Sequence, residues 1–283
     1  MNMKNFLFSN LSNQKGDLEK DYLEIWERAD QKFDHGDLKG ALSDYDKVLQ
    51  YHPDHPNVLV VRGMVKAKLG DFQGALQDYN RSIEILPNNI NTILIRAVTK
   101  KEFGEFSSAI DDCNLILHID PKNKEALGLR AETYFMAGDD KGAIRDYDLA
   151  LEFDPNNVEF IKNRGLAKVY NKQFDDAIID FNKAISIQPQ NPILLVLRAD
   201  TNTYINNFAE AWKDYSMAIQ IEPKLAMAYY GLACIAAKKQ QAGEAIKYLR
   251  QAIQIEAKWR EKAKTDKDFD FIRTEPLFLE ILK

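Results

Sequence analysis

Arg28, Arg62, Arg96, Arg130, Arg164 and Arg198 stand 34 residues apart, and Asp44, Asp78, Asp112, Asp146, Asp180 and Asp214 follow them, each 16 residues on. A lone row of guanidinium groups gathers anions, whereas a row matched one for one by carboxylates makes forked ion pairs. The second chemistry is the expected one, because the next place in the two columns holds Leu232 and Tyr248, so both charges vanish together. Stranding one buried charge is costly, while replacing both partners by apolar groups is close to neutral. The columns predict a structural ladder, within or between neighbouring elements, rather than an anion site.

The other reactive groups assemble nothing. His52 and His55 bracket Pro53-Asp54, but a stable zinc site usually takes at least three protein ligands, so a solvated loop is expected. His35 and His118 are isolated. Cys113 falls in a mostly aromatic column and reads as a small buried hydrophobe. Cys234 has no histidine near it in sequence to activate it. The chain has no glycine-rich phosphate loop followed by lysine, no metalloprotease helix motif, no paired-cysteine zinc pattern and no calcium loop. No catalytic residue, metal ligand or cofactor is assigned, and the chain reads as a non-enzyme.

The elements that carry these columns follow from the same period. Pro53, Pro87, Pro121, Pro155, Pro189 and Pro223 are spaced by 34 residues, with Ala257 in the next place. One column holds only Ala41, Ala75, Ala109, Ala143, Ala177, Ala211 and Ala245; another holds Ala29, Gly63, Ala97, Ala131, Gly165, Ala199 and Ala233. A third holds Tyr45, Tyr79, Cys113, Tyr147, Phe181, Tyr215 and Leu249. Small residues let two helix backbones approach, and a large ring beside them fills the remaining space. Within residues 56–89, Leu59 and Gly63 share one helical stripe and Ala75, Tyr79 and Ser82 another, so each unit is a helical hairpin. Gly70-Asp71 supplies a left-handed end for the first helix and a cap for the second, and Pro87 stops the second. Gly36-Asp37, Gly104-Glu105 and Gly138-Asp139 repeat the signal; Lys172, Asn206 and Gln240 replace the glycine later, which predicts less sharply defined turns there.

The chain has 283 residues, 45% hydrophobic and 29% charged, with a formal net charge of -5. That balance suits a folded soluble protein and gives no basic field for nucleic acid or an anionic membrane surface. Its longest aliphatic run, Ile193 to Leu197, is far shorter than the ~20 residues that span a bilayer. Two cysteines far apart fit a reducing compartment, and a cytoplasmic location is expected. Residues 1–21 read as a mobile leader turning helical near Leu18, and its Phe6-Leu7-Phe8 is a candidate internal ligand.

The period with its small, small, aromatic and proline columns resembles the tetratricopeptide repeat family over residues 22–259, as seven units. Where that family carries an aromatic near the start of the first helix, this chain has Ile25, Leu59, Ile93, Leu127, Ile161, Leu195 and Tyr229. The resemblance implies an all-α, right-handed α-solenoid of antiparallel helix pairs. Residues 260–283, with Phe269-Asp270 and Pro276-Leu277-Phe278, resemble the capping helices that close such arrays. It further implies a concave groove lined by first helices, here Trp26, Val60, Met64, Leu94, Val98, Phe135, Leu166, Val169, Val196, Tyr204 and Tyr230. The function implied is a scaffold or adaptor that holds a peptide segment or domain of a protein partner. A regulatory peptide receptor that changes superhelix shape is the alternative, and these patterns set no oligomeric state. The family's carboxylate clamp is not expected, because Lys162 is followed by Leu166 rather than asparagine and the preceding unit offers Gly128 and Glu132.

Overall fold

The computed structural model describes residues 17–283, with side chains from residue 22 onward; Phe6-Leu7-Phe8 and nearly all of the expected leader lie outside the described residues. Helices α1 (Asp17–Asp34), α2 (Leu38–Tyr51), α3 (Pro56–Lys68), α4 (Phe72–Ile85), α5 (Ile90–Glu102), α6 (Phe106–Ile119) and α7 (Lys124–Met136) come first. Next are α8 (Asp140–Phe153), α9 (Val158–Tyr170), α10 (Phe174–Ile187), α11 (Pro192–Tyr204), α12 (Phe208–Ile221), α13 (Ala226–Lys238) and α14 (Ala242–Ile255). The chain closes with α15 (Lys258–Thr265), a 3-10 turn (Lys267–Ile272) and α16 (Pro276–Ile281). The fold is all-α, with no strand among the described residues. The described residues divide into two compact units that meet at Thr133 and Tyr134 in sequence, the second running to residue 283.

The sequence fixes the ends of these helices by different devices. Asp37, Asp71 and Asp139 each accept a hydrogen bond from the amide three residues on, starting α2, α4 and α8. Asn89 and Asn157 do the same for α5 and α9, and Pro56 and Pro192 open α3 and α11, where a missing amide hydrogen costs nothing. Gly36, Gly70, Gly104 and Gly138 occupy the left-handed region at φ 81° to 86° between paired helices. The expectation of looser turns at Lys172, Asn206 and Gln240 is corrected: they hold the same conformation at φ 62°, 60° and 59°. The amide of Gln173 still bonds to the Lys168 carbonyl at 2.8 Å, as that of Asp71 does to Lys66. At Lys172 and Gln240 the flanking helices impose the geometry although a Cβ makes it unfavourable, whereas asparagine, as at Asn206, adopts it more readily. Lys172→Gly is therefore expected to stabilise the protein by about 0.5 to 1 kcal/mol, read as a rise in Tm, since relief of the left-handed strain exceeds glycine's entropic cost.

In the first unit α1 packs on α2, α3 on α4 and α5 on α6, with α2 to α3 and α4 to α5 joining successive hairpins. Tyr45 and Tyr79 are fully buried beside Ala41 and Ala75, and Cys113 takes the equivalent place between Ala97 and Leu129. A Cβ added to Gly63 would stand 2.5 Å from the Tyr79 ring, so the small residue is what lets that ring lie flat against α3. In the second unit Tyr147, Phe181, Tyr215 and Leu249 fill the same column. Its last hairpin, α13 with α14, is covered by α15, the 3-10 turn and α16, which bury Ala263, Phe269, Ile272 and Phe278 in one cluster with Leu249 and Ile253.

Candidate functional site

The arginine ladder is built as forks with a third prong. Arg62 donates through Nε and Nη2 to Asp78 at 2.8 and 2.6 Å, and through Nη1 to Asp46 of the preceding hairpin at 2.8 Å. Arg96 repeats this with Asp112 and Asn80, Arg164 with Asp180 and Asp148, and Arg198 with Asp214 and Asn182. Arg28 forks Asp44 at 2.7 and 2.8 Å. Lys32, Lys66, Lys100 and Lys168 add a second cation to Asp44, Asp78, Asp112 and Asp180. Asp44 also meets Lys47, and the Arg28 fork holds its carboxyl well below the ordinary carboxylate range. These guanidinium groups hold carboxylates and side-chain amides within and between hairpins, as a structural ladder does.

The predicted groove residues fall into two clefts, one per unit, and a remainder. In the first unit Met64, Leu94 and Val98 stay partly open and line a cleft of about 290 Å³ with Ala67, Ile95, Tyr79 and Thr99. Lys68, Asn91 and Glu102 complete its lining. Val60 is buried beneath this region with Tyr79 and Ile95. Trp26 is only 5% exposed, its ring 4.9 Å from that of His55, so packing on the next hairpin takes it off the surface. His55 also accepts from the Val58 amide at the start of α3, and His52 lies 4.3 Å from the Tyr22 ring. Both imidazoles meet a ring, and His52 with Pro53 and Asp54 stays exposed in the expected solvated loop.

In the second unit Val196, Tyr204 and Tyr230 converge on a cleft of about 520 Å³, whose walls include Asp200, Tyr215, Cys234, Lys238, Trp259, Lys262, Asp266 and Asp268. Phe135, Leu166 and Val169 stand apart from it, half-buried, with Phe135 edge-on to Tyr170 at 5.2 Å. Val196 and Tyr230 are buried, and the cause for Tyr230 is the cap: Trp259 stacks on its ring at 4.5 Å and Asp266 accepts its hydroxyl at 2.7 Å. Lys262 sits 4.8 Å from the Tyr230 ring centre and 5.0 Å from that of Trp259, and Lys238 pairs with Asp268 at 2.5 Å. Tyr204 is 69% exposed, its ring stacked on Phe174 at 6.0 Å.

Sequence reasoning missed the acidic wall, because Asp266 and Asp268 reach Cys234 only through the fold of the cap. The ligand atoms of Cys234, Asp266 and Asp268 lie within 4.8 Å of one another. Burial, then the two carboxylates, push the Cys234 thiol far up, so it is a poor nucleophile. Burial and then carboxylate neighbours likewise raise the Tyr215 and Tyr230 hydroxyls, which donate to Asp200 and Asp266. The arrangement offers rings and charge for recognition.

A sequence profile described as tetratricopeptide repeat matches residues 27–90, and a second with the same description matches residues 163–191 and 226–258. Among solved structures the chain is similar to a tetratricopeptide repeat protein from Parabacteroides merdae, at 22% identity and a TM-score of 0.67 over 93% of this chain and 100% of that one. It is similar to YrrB, described as a TPR protein with an unusual peptide-binding site, at 16% identity and a TM-score of 0.54 over 65% of this chain and 95% of that one. It is also similar to a human IFIT1 dimer with m7Gppp-AAAA, at 17% identity and a TM-score of 0.59 over 86% and 62% of the two chains. Likeness at these identities establishes the fold alone. No curated protein matches the sequence.

Proposed function

Because this chain belongs to the tetratricopeptide repeat family, we propose that it is a scaffold or adaptor which holds a peptide segment of a protein partner on its first helices. The observation that carries this reading is the apolar cleft of the first unit: Met64, Leu94 and Val98 are left partly open although the hairpins around them are fully packed. Open apolar walls with Lys68, Asn91 and Glu102 beside them suit an apolar side chain flanked by polar backbone. A peptide, the ligand class named for YrrB, fits this chemistry better than an RNA such as that named with human IFIT1. Phosphates need cations, the net charge is -5, and the ladder arginines already hold carboxylates and amides.

No helix among the described residues is long and apolar enough to cross a membrane. We place the scaffold in the cytoplasm, in keeping with its widely separated free cysteines.

The test is affinity capture from cells, with bound proteins identified by mass spectrometry, for the wild type and for Leu94→Glu with Val98→Glu. Circular dichroism and the unfolding midpoint serve as the control for folding. Loss of one or more partners by the folded double variant is expected; an unchanged partner set defeats the cleft as the receptor.

A further inference from the structure

The cleft of the second unit differs in chemistry from that of the first. Asp200 accepts a hydrogen bond from the Tyr215 hydroxyl through Oδ1, which leaves Oδ2 without a hydrogen bond among the described residues. Lys262 attracts this carboxylate across the cleft but forms no ion pair with it among the described residues. The two lysines of the cleft are otherwise engaged, Lys238 by Asp268 and Lys262 by the Tyr230 and Trp259 rings. Tyr204 follows Asp200 by four residues in α11, so the two side chains stand one turn apart on the same helix face. One face of the Tyr204 ring rests on Phe174 at 6.0 Å, and the large exposure of the residue leaves the other face free.

A carboxylate with an open oxygen one helical turn from the open face of a ring matches one side chain better than any other. A guanidinium group lies flat on an aromatic face while its edge donates to a carboxylate, whereas an ammonium offers a point charge that cannot do both in one plane. Resting on the peptide-scaffold reading above, we infer that this cleft receives an arginine side chain of the partner, with the guanidinium forked to Asp200 and stacked on Tyr204. The first unit has the same tyrosine-to-aspartate bond between Tyr45 and Asp30, but the residue four places on is Asp34. The stacking ring is thus specific to the second unit's cleft.

The experiment titrates the full chain with Nα-acetyl-arginine amide, and with its citrulline, lysine and glutamate counterparts, following the Trp259 indole and Tyr204 ring resonances by NMR. Saturable binding of the arginine compound is expected, with lysine weaker and citrulline, the neutral isostere, showing none. Asp200→Asn keeps an acceptor for Tyr215 and should weaken arginine binding roughly tenfold, the loss of a charge-assisted hydrogen bond. Tyr204→Ala alters an exposed ring and should weaken it several-fold. No arginine binding, equal binding of citrulline, indifference to both substitutions, or preference for the glutamate compound, which would assign the cleft to Lys238 and Lys262, each overturns the inference. The scaffold reading stands or falls separately, on capture by Leu94→Glu with Val98→Glu in the other unit.

Discussion

Arg198→Leu is expected to lower the unfolding free energy by about 3 kcal/mol, and adding Asp214→Leu is expected to restore most of it. Asp214 is 2% exposed and takes both fork bonds from Arg198. It differs from Asp78, Asp112 and Asp180 in having no second cation, because Asn202 stands where their hairpins carry Lys66, Lys100 and Lys168. Removing the guanidinium alone leaves a buried carboxylate with no counter-charge, the situation that costs about 3 to 5 kcal/mol; the lower end applies because Arg198 keeps a quarter of its side chain in water. The double variant reproduces what α13 and α14 already do with Leu232 and Tyr248, where Leu232 is buried and Tyr248 packs edge-on against Trp212. Urea unfolding of the two variants checks this: a double variant no more stable than the single one rules out the fork as the source of the loss. Arg96→Leu provides the calibration, since Lys100 stays on Asp112 at 2.8 Å and the expected loss is smaller.

The largest single loss is expected from Tyr147→Ala, about 3 to 5 kcal/mol, since removal of a buried ring combines lost transfer energy with an unfilled cavity. Tyr147 is 1% exposed, beside Ala143 and facing Phe160 across 6.1 Å. Tyr147→Phe keeps the ring volume and should lose less than Tyr147→Ala. A Tyr147→Ala protein that unfolds at the wild-type urea midpoint would place the side chain outside the core.

The hairpins, their turns and the ion pairs were legible because each has a column of its own. The small and aromatic columns mark the close approach inside each hairpin, and the joint loss at Leu232 and Tyr248 identified arginine and aspartate as partners. The third prong was equally present as Asp46, Asn80, Asn114, Asp148 and Asn182, but a mixed Asp and Asn column on an exposed helix face looks like ordinary surface until the guanidinium is seen to reach it. The turns at Lys172, Asn206 and Gln240 were misread because residue preference describes an isolated turn, whereas here two packed helices dictate φ. The groove was legible only as a list of positions. Whether a position is open depends on what covers it, and Trp26 is covered by a histidine loop and Tyr230 by the cap, neither of which belongs to the repeating pattern.

The third prong also makes the hairpins interchangeable parts. Because each ladder arginine from Arg62 to Arg198 reaches back to a short side chain that is always aspartate or asparagine, any internal hairpin presents its successor with an acceptable acceptor. Duplication or deletion of one such 34-residue unit therefore leaves every ladder arginine with an acceptor at the new junction, so the ladder tolerates a change in the length of the array. The final junction is the exception: Ser216, Leu232 and Tyr248 replace all three members, so the closing hairpin fits only the end of the row.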